Sequence, residues 1–120
     1  MNKKTLVLGA SPKSDRYSFK AVMLLQKNGH DVVPLGFEHG TIGNAEIITN
    51  WENYNDIDTI TLYLNPNRQK QYYNYIVEQK PKRVIFNPGT ENDELEQLLI
   101  KNNITYLEAC TLVLLTTGQY

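Results

Sequence analysis

The sequence is poor in cysteine, in excess charge of either sign and in long apolar runs. Its 120 residues contain one cysteine, Cys110, which excludes an intrachain disulfide. The 12 basic residues nearly balance the 13 acidic ones, so the overall charge offers no attraction to a polyanion. No apolar stretch approaches the roughly 18 residues that a membrane span needs, and the first residues show no secretory signal pattern. We therefore expect a cytoplasmic protein without a nucleic-acid or membrane partner, in which any recognition of an anion is local.

The arrangements of side chains that support most enzymatic chemistry are also missing from the sequence. The two histidines, His30 and His39, are not spaced with cysteines or acids as metal ligands are. No serine stands in a nucleophile elbow. The loops after the predicted strands contain neither a pair of carboxylates nor a cysteine–histidine pair. The sequence therefore predicts no metal site and no catalytic residues, and it favours a binding protein over an enzyme.

Five short runs of β-forming residues are present instead, and helical patterns fill most of the gaps between them. The runs cover residues 5–8, 31–35, 59–64, 83–86 and 104–107. A chain of this length forms about one domain, and strands that alternate with helices form a parallel sheet through crossover connections. We expect residues 1–120 to be a single α/β domain, with a three-layer, doubly wound, Rossmann-like fold. Its mainly parallel five-stranded sheet has helices on both faces.

Capping signals predict three of the helices. The first covers residues 18–28 and ends at a glycine, as expected for a left-handed cap. The second begins at Asn65, whose side chain precedes a proline at the first helical position, and ends before Lys80. The third begins at Thr90, where the spacing to Asp93 resembles a capping box.

Two segments do not fit the alternation. Residues 36–54 contain three glycines and no clear helical period, so we expect an irregular crossover with a short strand around residues 46–48. Residues 111–115 form an apolar run near the end of the sequence. This run is compatible with a further strand, a cover for the sheet edge or a homodimer contact.

The loop after the first strand has the composition of a phosphate site. Ligands of open parallel sheets bind beyond the carboxyl ends of the strands. Residues 9–18 supply a turn of small residues, hydroxyls, the cations Lys13 and Arg16, and then the start of a helix. The N-terminus of a helix offers free N–H groups and a favourable dipole to an anion. The sequence therefore predicts that this loop binds phosphate.

The same loop departs from the dinucleotide fingerprint G-x-G-x-x-G. When the fingerprint is aligned on Gly9, Ser11 and Ser14 stand in place of its second and third glycines. Those glycines allow close approach to the pyrophosphate and close packing of helix on strand. Glu38, near the end of the second strand, is a candidate for the acid that binds ribose in such proteins. An NAD(P)-linked oxidoreductase is therefore an alternative that the missing glycines oppose.

Residues 6–18, with the sequence LVLGASPKSDRYS, resemble the opening signature of the small CoA-binding domain family. The members of this family are similar to the CoA-binding domain of succinyl-CoA synthetase. The resemblance continues through residues 33–35, 36–43, 65–66 and 86–89 to Cys110 beyond the last strand. It therefore extends over nearly the whole chain.

This resemblance implies a Rossmann-like fold that binds coenzyme A (CoA) or an acyl-CoA at the carboxyl ends of the strands. The residues it assigns to phosphate or ribose are Gly9, Ala10, Ser11 and Ser18, with Lys13 and Arg16 neutralising charge. It assigns Leu64, Asn65 and Arg68 to the adenosine end, and Asn87, Pro88 and Gly89 to the pantetheine arm.

Cys110 has two interpretations. A lone cysteine is usually a small buried apolar residue. At the carboxyl end of the fifth strand it would instead lie near the CoA thiol, with which it could form a mixed disulfide.

Non-catalytic binding of CoA, as a sensor, carrier or regulatory protein, is the main hypothesis. Besides the oxidoreductase, the alternatives are a subunit of an acyl-CoA ligase, whose partner chain would carry a phosphorylatable histidine, and a homodimeric interaction protein.

Overall fold

Parallel strands form the centre of the computed structural model, which describes residues 2–120. The strands are β1 (Thr5–Ala10), β2 (Val32–Gly36), β3 (Thr41–Ile42), β4 (Ala45–Glu46), β5 (Thr59–Leu62), β6 (Arg83–Phe86) and β7 (Thr105–Glu108). Five of them form a sheet in the order β2-β1-β5-β6-β7, and every neighbouring pair in it is parallel. The predicted Rossmann-like α/β fold is therefore confirmed.

Helices cover both faces of this sheet. They are α1 (Tyr17–Lys27), α2 (Pro66–Gln69), α3 (Tyr73–Glu78), α4 (Asp93–Lys101) and α5 (Thr111–Thr116). Side chains of α1 and α5 belong to one apolar cluster, and those of α3 and α4 belong to a second. Among residues 2–120, no helix has both the length and the apolar character needed to cross a membrane.

The alternation of side chains along β1 shows why the strand is almost wholly apolar. Leu6 and Leu8 belong to the core under α3 and α4, whereas Val7 between them belongs to the core under α1 and α5. All three side chains are fully buried. A strand in a parallel sheet needs apolar side chains on both faces because helices cover both of them.

The second predicted helix is interrupted. Asn65 caps it as predicted, since its side chain accepts a hydrogen bond from the Arg68 N–H at 3.0 Å. However, α2 and α3 are separated by a 3₁₀ turn, Lys70–Tyr72. Tyr72 in this turn and Tyr75 in α3 are both buried in the core. Short 3₁₀ turns of this kind are common at the ends of α-helices.

The predicted start of the third helix at Thr90 is wrong. The N-cap of α4 is Asn92, whose side chain accepts hydrogen bonds from the N–H groups of Glu94 and Leu95. The Thr90 hydroxyl instead donates to the Asn87 carbonyl at 2.8 Å. Asparagine and threonine both serve as caps, and the turn that precedes the helix decides between them here.

The apolar run at residues 111–115 forms the helix α5, so its interpretation as a further strand is wrong. Leu115 is buried in the same core as Val22 and Leu25 of α1. The buried hydroxyl of Thr111 bonds that of Thr61 on β5 at 2.8 Å. The segment therefore covers one face of the sheet.

The crossover after β2 contains more structure than predicted. The strands β3 and β4 pair as an antiparallel hairpin. Beyond it, the Ile48 N–H donates to the Pro34 carbonyl at 2.8 Å, and Ile48 forms an isolated parallel bridge with Leu35. The hairpin is folded back against β2 by these contacts.

A buried carboxyl lies near β7, the edge strand of the sheet opposite β2. Glu96 on α4 is 6% exposed, and its Oε2 atom has no hydrogen-bond partner among the described residues. Burial raises the pKa of Glu96 to about 7, and the nearby Glu108 carboxylate on β7 adds to the increase. The folded protein therefore holds a proton on Glu96 at a pH where the unfolded chain has released it.

Glu96→Gln is expected to change how stability depends on pH. Since the pKa of Glu96 rises on folding from 4.5 to about 7, its contribution to stability is present at low pH and is lost as the pH rises through 7. Glutamine does not titrate, so the variant should be more stable than the wild type at pH 8, with an advantage that shrinks toward pH 5. Thermal unfolding at both pH values measures this difference, with Glu78→Gln on α3, an exposed position, as the control. A difference that does not vary with pH would contradict the assignment.

Candidate functional site

A cleft of about 420 Å³ opens at the carboxyl ends of the parallel strands. Residues after β1, β2, β5 and β6 line it: Gly9, Ala10, Ser11, Lys13, Arg16, Tyr17, Ser18, Phe37, Glu38, Tyr63, Leu64, Asn65, Arg68, Pro88, Gly89 and Thr90. Its size is within the range of small-molecule sites.

The strand order explains why the cleft lies here. From β1 the chain crosses to β2 on one side, and after the hairpin it returns to β5 on the other side of β1. The connections after β1 and β5 therefore diverge, which leaves a crevice at the carboxyl ends of these strands. This reversal is where doubly wound proteins bind ligands.

Gly9 allows the chain to turn into this crevice. Its φ of +97° lies in the left-handed region, and the pairing of β1 with β2 is irregular between Leu8 and Ala10. A Cβ atom at this position would be 3.0 Å from the Leu64 side chain and 3.1 Å from the backbone of Tyr63. A side chain here would meet both strain and crowding.

Another glycine brings β2 close to the end of β1. A Cβ atom on Gly36 would lie 2.1 Å from the carbonyl oxygen of Ala10. The two strand ends can therefore touch only if residue 36 lacks a side chain. Phe37 and Glu38 follow directly and enter the lining of the cleft.

The N-terminus of α1 faces this crevice without a side-chain cap. Arg16 is the N-cap residue, and its side chain makes no capping hydrogen bond. By contrast, Asn65 and Asn92 cap α2 and α4 with their side chains. The N–H groups of the first turn of α1 are therefore available to an anion, which the helix dipole also favours.

Positive charge collects around the same point. Lys13 and Arg16 come from the loop after β1, and Arg68 comes from α2 on the β5 side. Within residues 2–120, none of these side chains forms an ion pair. Their charges are therefore not neutralised by the described part of the protein.

The serines of the loop differ in their surroundings. Ser11 accepts a hydrogen bond from the Lys13 N–H at 3.2 Å and so stabilises the turn. Ser18 is 4% exposed and lines the cleft. It is the second residue of α1, so it lies in the first turn of that helix.

Asn87 does not line the cleft, although sequence reasoning included it with Pro88 and Gly89. Its side chain is buried and donates to the Thr61 hydroxyl at 2.7 Å and to the Leu62 carbonyl at 2.9 Å. Its oxygen accepts from the Thr111 N–H at 2.8 Å. These bonds hold the residue after β6 to β5 and to the start of α5. The asparagine therefore has a structural role that needs no ligand.

Cys110 also lies outside the lining. It is half-buried at the N-cap of α5, and the hydroxyl of Tyr63 is nearby. Tyr63 itself is among the residues that line the cleft.

Sequence reasoning missed several lining residues: Tyr17, Phe37, Tyr63 and Thr90, with Glu38 considered only for an alternative ligand. Phe37 and Glu38 directly follow β2, so the rule that ligands bind at strand ends could have found them. Burial raises the pKa of Tyr63 well above its ordinary value. Its phenol therefore stays protonated near neutral pH.

No group of three or more histidine, cysteine, aspartate or glutamate side chains in residues 2–120 is arranged to hold a metal ion. The cleft itself carries one carboxylate, that of Glu38.

The sheet order, the helices on both faces and the crevice define a Rossmann-like α/β domain. The chain belongs to the CoA-binding domain family, whose profile matches residues 3–116. This membership supports CoA as the ligand in general terms.

Solved structures share the fold of this chain. The crystal structure of an uncharacterized protein is 47% identical, with a TM-score of 0.97, over 100% of this chain and 99% of that one. A conserved hypothetical protein from Pyrococcus furiosus is 27% identical, with a TM-score of 0.79, over 94% and 98%. The cell-free ID.343 protein of Thermus thermophilus shares the fold at 18% identity and a TM-score of 0.87, over 98% and 90%. Among curated proteins, none matches the chain significantly.

Gly9→Ala is expected to lower the free energy of unfolding by about 2–3 kcal/mol, because it combines an unfavourable positive φ with crowding against Leu64. Gly29→Ala is the matched control, since φ there is also positive, at +83°, but no atom lies within 4 Å of the added Cβ. The control should lose about 1 kcal/mol. Urea denaturation measures both values, and equal losses would show that the contact with Leu64 is unimportant.

Proposed function

We propose that the cleft binds CoA or an acyl-CoA non-covalently. The observation that carries this proposal is the uncapped N-terminus of α1, flanked by the unpaired cations Lys13, Arg16 and Arg68 at the strand reversal. CoA carries a diphosphate and a ribose 3′-phosphate, so it supplies the negative charge that this arrangement lacks.

The donors present fit a diphosphate. Backbone N–H groups of the first turn of α1 and the hydroxyl of Ser18 provide hydrogen bonds. Gly9, Ala10 and Ser11 line the cleft, and their small or absent side chains leave the backbone accessible to a phosphate. Two or three charge-assisted hydrogen bonds at roughly 1.5–3 kcal/mol each, offset by the cost of ordering the ligand, correspond to a dissociation constant on the order of 1 µM.

The remainder of the ligand has space along the wall after β5 and β6. Leu64 lines this wall although it is only 5% exposed, and Asn65, Pro88 and Gly89 are exposed at the rim. The Thr90 carbonyl and the Leu64 carbonyl both accept hydrogen bonds from the buried Gln69 side chain at 2.8 Å. This wall is therefore held in place before a ligand arrives, which reduces the entropy cost of binding.

We propose binding without catalysis, as in a sensor, a carrier or a regulatory subunit. The lining contains no histidine, no cysteine and only one carboxylate, Glu38. The hydroxyl of Tyr63, whose pKa is raised by burial, is protonated near neutral pH and does not serve as a general base there. A general base paired with a nucleophile is therefore not available among the lining side chains.

An NAD(P)-type dinucleotide is the second candidate. The position of Glu38 in the cleft directly after β2 favours it, because an acid at this place binds adenosine ribose in dinucleotide-binding folds. Ser11 and Ser14, which replace two glycines of the fingerprint, oppose it.

Arg16→Glu is expected to weaken CoA binding at least tenfold, since it removes one charge-assisted hydrogen bond and adds a repulsive charge beside the phosphates. Calorimetric titration with CoA measures the affinity, and thermal unfolding verifies that the exposed substitution leaves the fold intact. Lys27→Glu is the matched control, because Lys27 lies in the last turn of the same helix, about 16 Å from its start.

Two results would overturn the proposal. Equal CoA affinity in the wild type and in Arg16→Glu would exclude the loop after β1 from the site. Tight binding of NAD by the wild type without measurable binding of CoA would favour the second candidate.

A further inference from the structure

We infer that Glu96 and Glu108 share one proton between α4 and β7, and that this proton fixes the wall of the cleft formed by the loops after β5 and β6. Binding at the cleft is therefore sensitive to pH. The effect on CoA rests on the proposed function, whereas the proton and the wall are measured without a ligand.

Glu96 lies among groups that do not stabilise its negative charge. It is 6% exposed, and its Oε2 atom has no hydrogen-bond partner within residues 2–120. The ionisable groups that act on it are Glu108 and Tyr106 of β7 and Asp93 of its own helix. None of these is a cation, and neither ion pair of the described residues includes Glu96. A buried carboxylate without a cation is costly, so the protonated form of Glu96 is favoured.

The position of Glu108 supplies an acceptor for this proton. Ile104 belongs to the core under α3 and α4, and Tyr106 packs against it. Glu108 follows Tyr106 by two residues, so the alternation along a strand places it on the same face of the sheet. α4 begins at the carboxyl edge of the sheet, where β7 ends, because a crossover helix runs back along the strands. The O–H group of protonated Glu96 therefore donates to the Glu108 carboxylate.

A chain of hydrogen bonds connects Glu96 to the cleft. The Glu96 N–H donates to the carbonyl of Asn92, the cap of α4, at 3.0 Å. The Asn92 side chain donates to the Gln69 side chain at 2.9 Å. Gln69 in turn donates to the carbonyls of Leu64 and Thr90, both of which line the cleft. The position of the first turn of α4 therefore determines the position of this wall.

Loss of the shared proton places two negative charges together at the start of α4. Burial and the Glu108 carboxylate raise the pKa of Glu96 to about 7, so the proton is present at pH 6 and largely absent at pH 8. Like charges repel, and the charge on buried Glu96 is also poorly solvated. We expect the first turn of α4 to move away from β7, which weakens the hydrogen bonds of Gln69. The wall is therefore more ordered at pH 6 than at pH 8.

The first measurement follows the Gln69 side-chain amide by NMR between pH 5 and pH 9, without a ligand. In the wild type its resonances should titrate with a midpoint near 7. In Glu96→Gln they should not titrate, because the glutamine amide donates to Glu108 at every pH. Glu108→Gln, an exposed substitution that leaves the core intact, should lower the midpoint by about one pH unit because it removes the repulsive charge. Glu78→Gln on α3 is the matched control and should leave the midpoint unchanged.

The second measurement compares the dissociation constants of CoA at pH 6 and pH 8 by calorimetric titration. The constant at pH 8 divided by that at pH 6 should be about threefold larger for the wild type than for Glu96→Gln, the change that corresponds to ordering about one side chain on binding. Ionisation of CoA itself cancels in this comparison, because it is the same for both proteins.

Gln69 resonances that do not titrate near 7 in the wild type, or that titrate alike in Glu96→Gln, would overturn the inference. An equal ratio of dissociation constants in the two proteins would also overturn it, because the proton would then have no effect on the cleft. A wild type that binds no CoA at either pH would refute the proposed function, and the Gln69 titration would still decide whether the proton fixes the wall.

Discussion

The turn at Gly9 is the constraint on which the candidate site depends. The chain must leave β1 beside the end of β5, in contact with Leu64, and enter α1 with the first turn of the helix directed at the crevice. Gly9 combines a positive φ of +97° with a close approach to Leu64. Any other amino acid would have to move the loop that carries Ser11, Lys13 and Arg16. The conformation of one glycine therefore links the topology of the sheet to the anion-binding chemistry that follows it.

The opposite wall of the cleft depends on buried amides rather than on glycine. Gln69 donates to the carbonyls of Leu64 and Thr90, and it accepts a hydrogen bond from Asn92, the cap of α4. Asn87 joins β5 to the start of α5 in the same way. Buried amides are stabilising only when their partners are in place, so the loops after β5 and β6 are fixed relative to each other. The loop that carries the cations thus faces a wall whose buried polar groups are paired with one another.

Much of this arrangement follows from local patterns in the sequence. The apolar strand runs and the glycine at position 9 predicted the sheet and the loop beside its central strand, because period and turn chemistry are local properties. The sequence pattern predicts a cap at Thr90, whereas Asn92 is the cap, because both residue types cap helices well and only the turn at Asn87 distinguishes the two positions. The apolar run in α5 is short enough for a strand or a helix, and its packing beside α1 decides the outcome. Asn87 could not be separated from Pro88 and Gly89, since the direction of a side chain depends on tertiary partners.

The most direct test of the central claim is the response of backbone amides to CoA in a two-dimensional NMR titration. Binding at the strand reversal predicts that the largest shifts are those of residues 9–18, with smaller ones at Asn65 and Gly89 on the facing wall. The shallow groove around Tyr73 and Leu98 between α3 and α4 should not respond. Shifts that cluster in that groove, or a spectrum unchanged at millimolar CoA, would contradict the account.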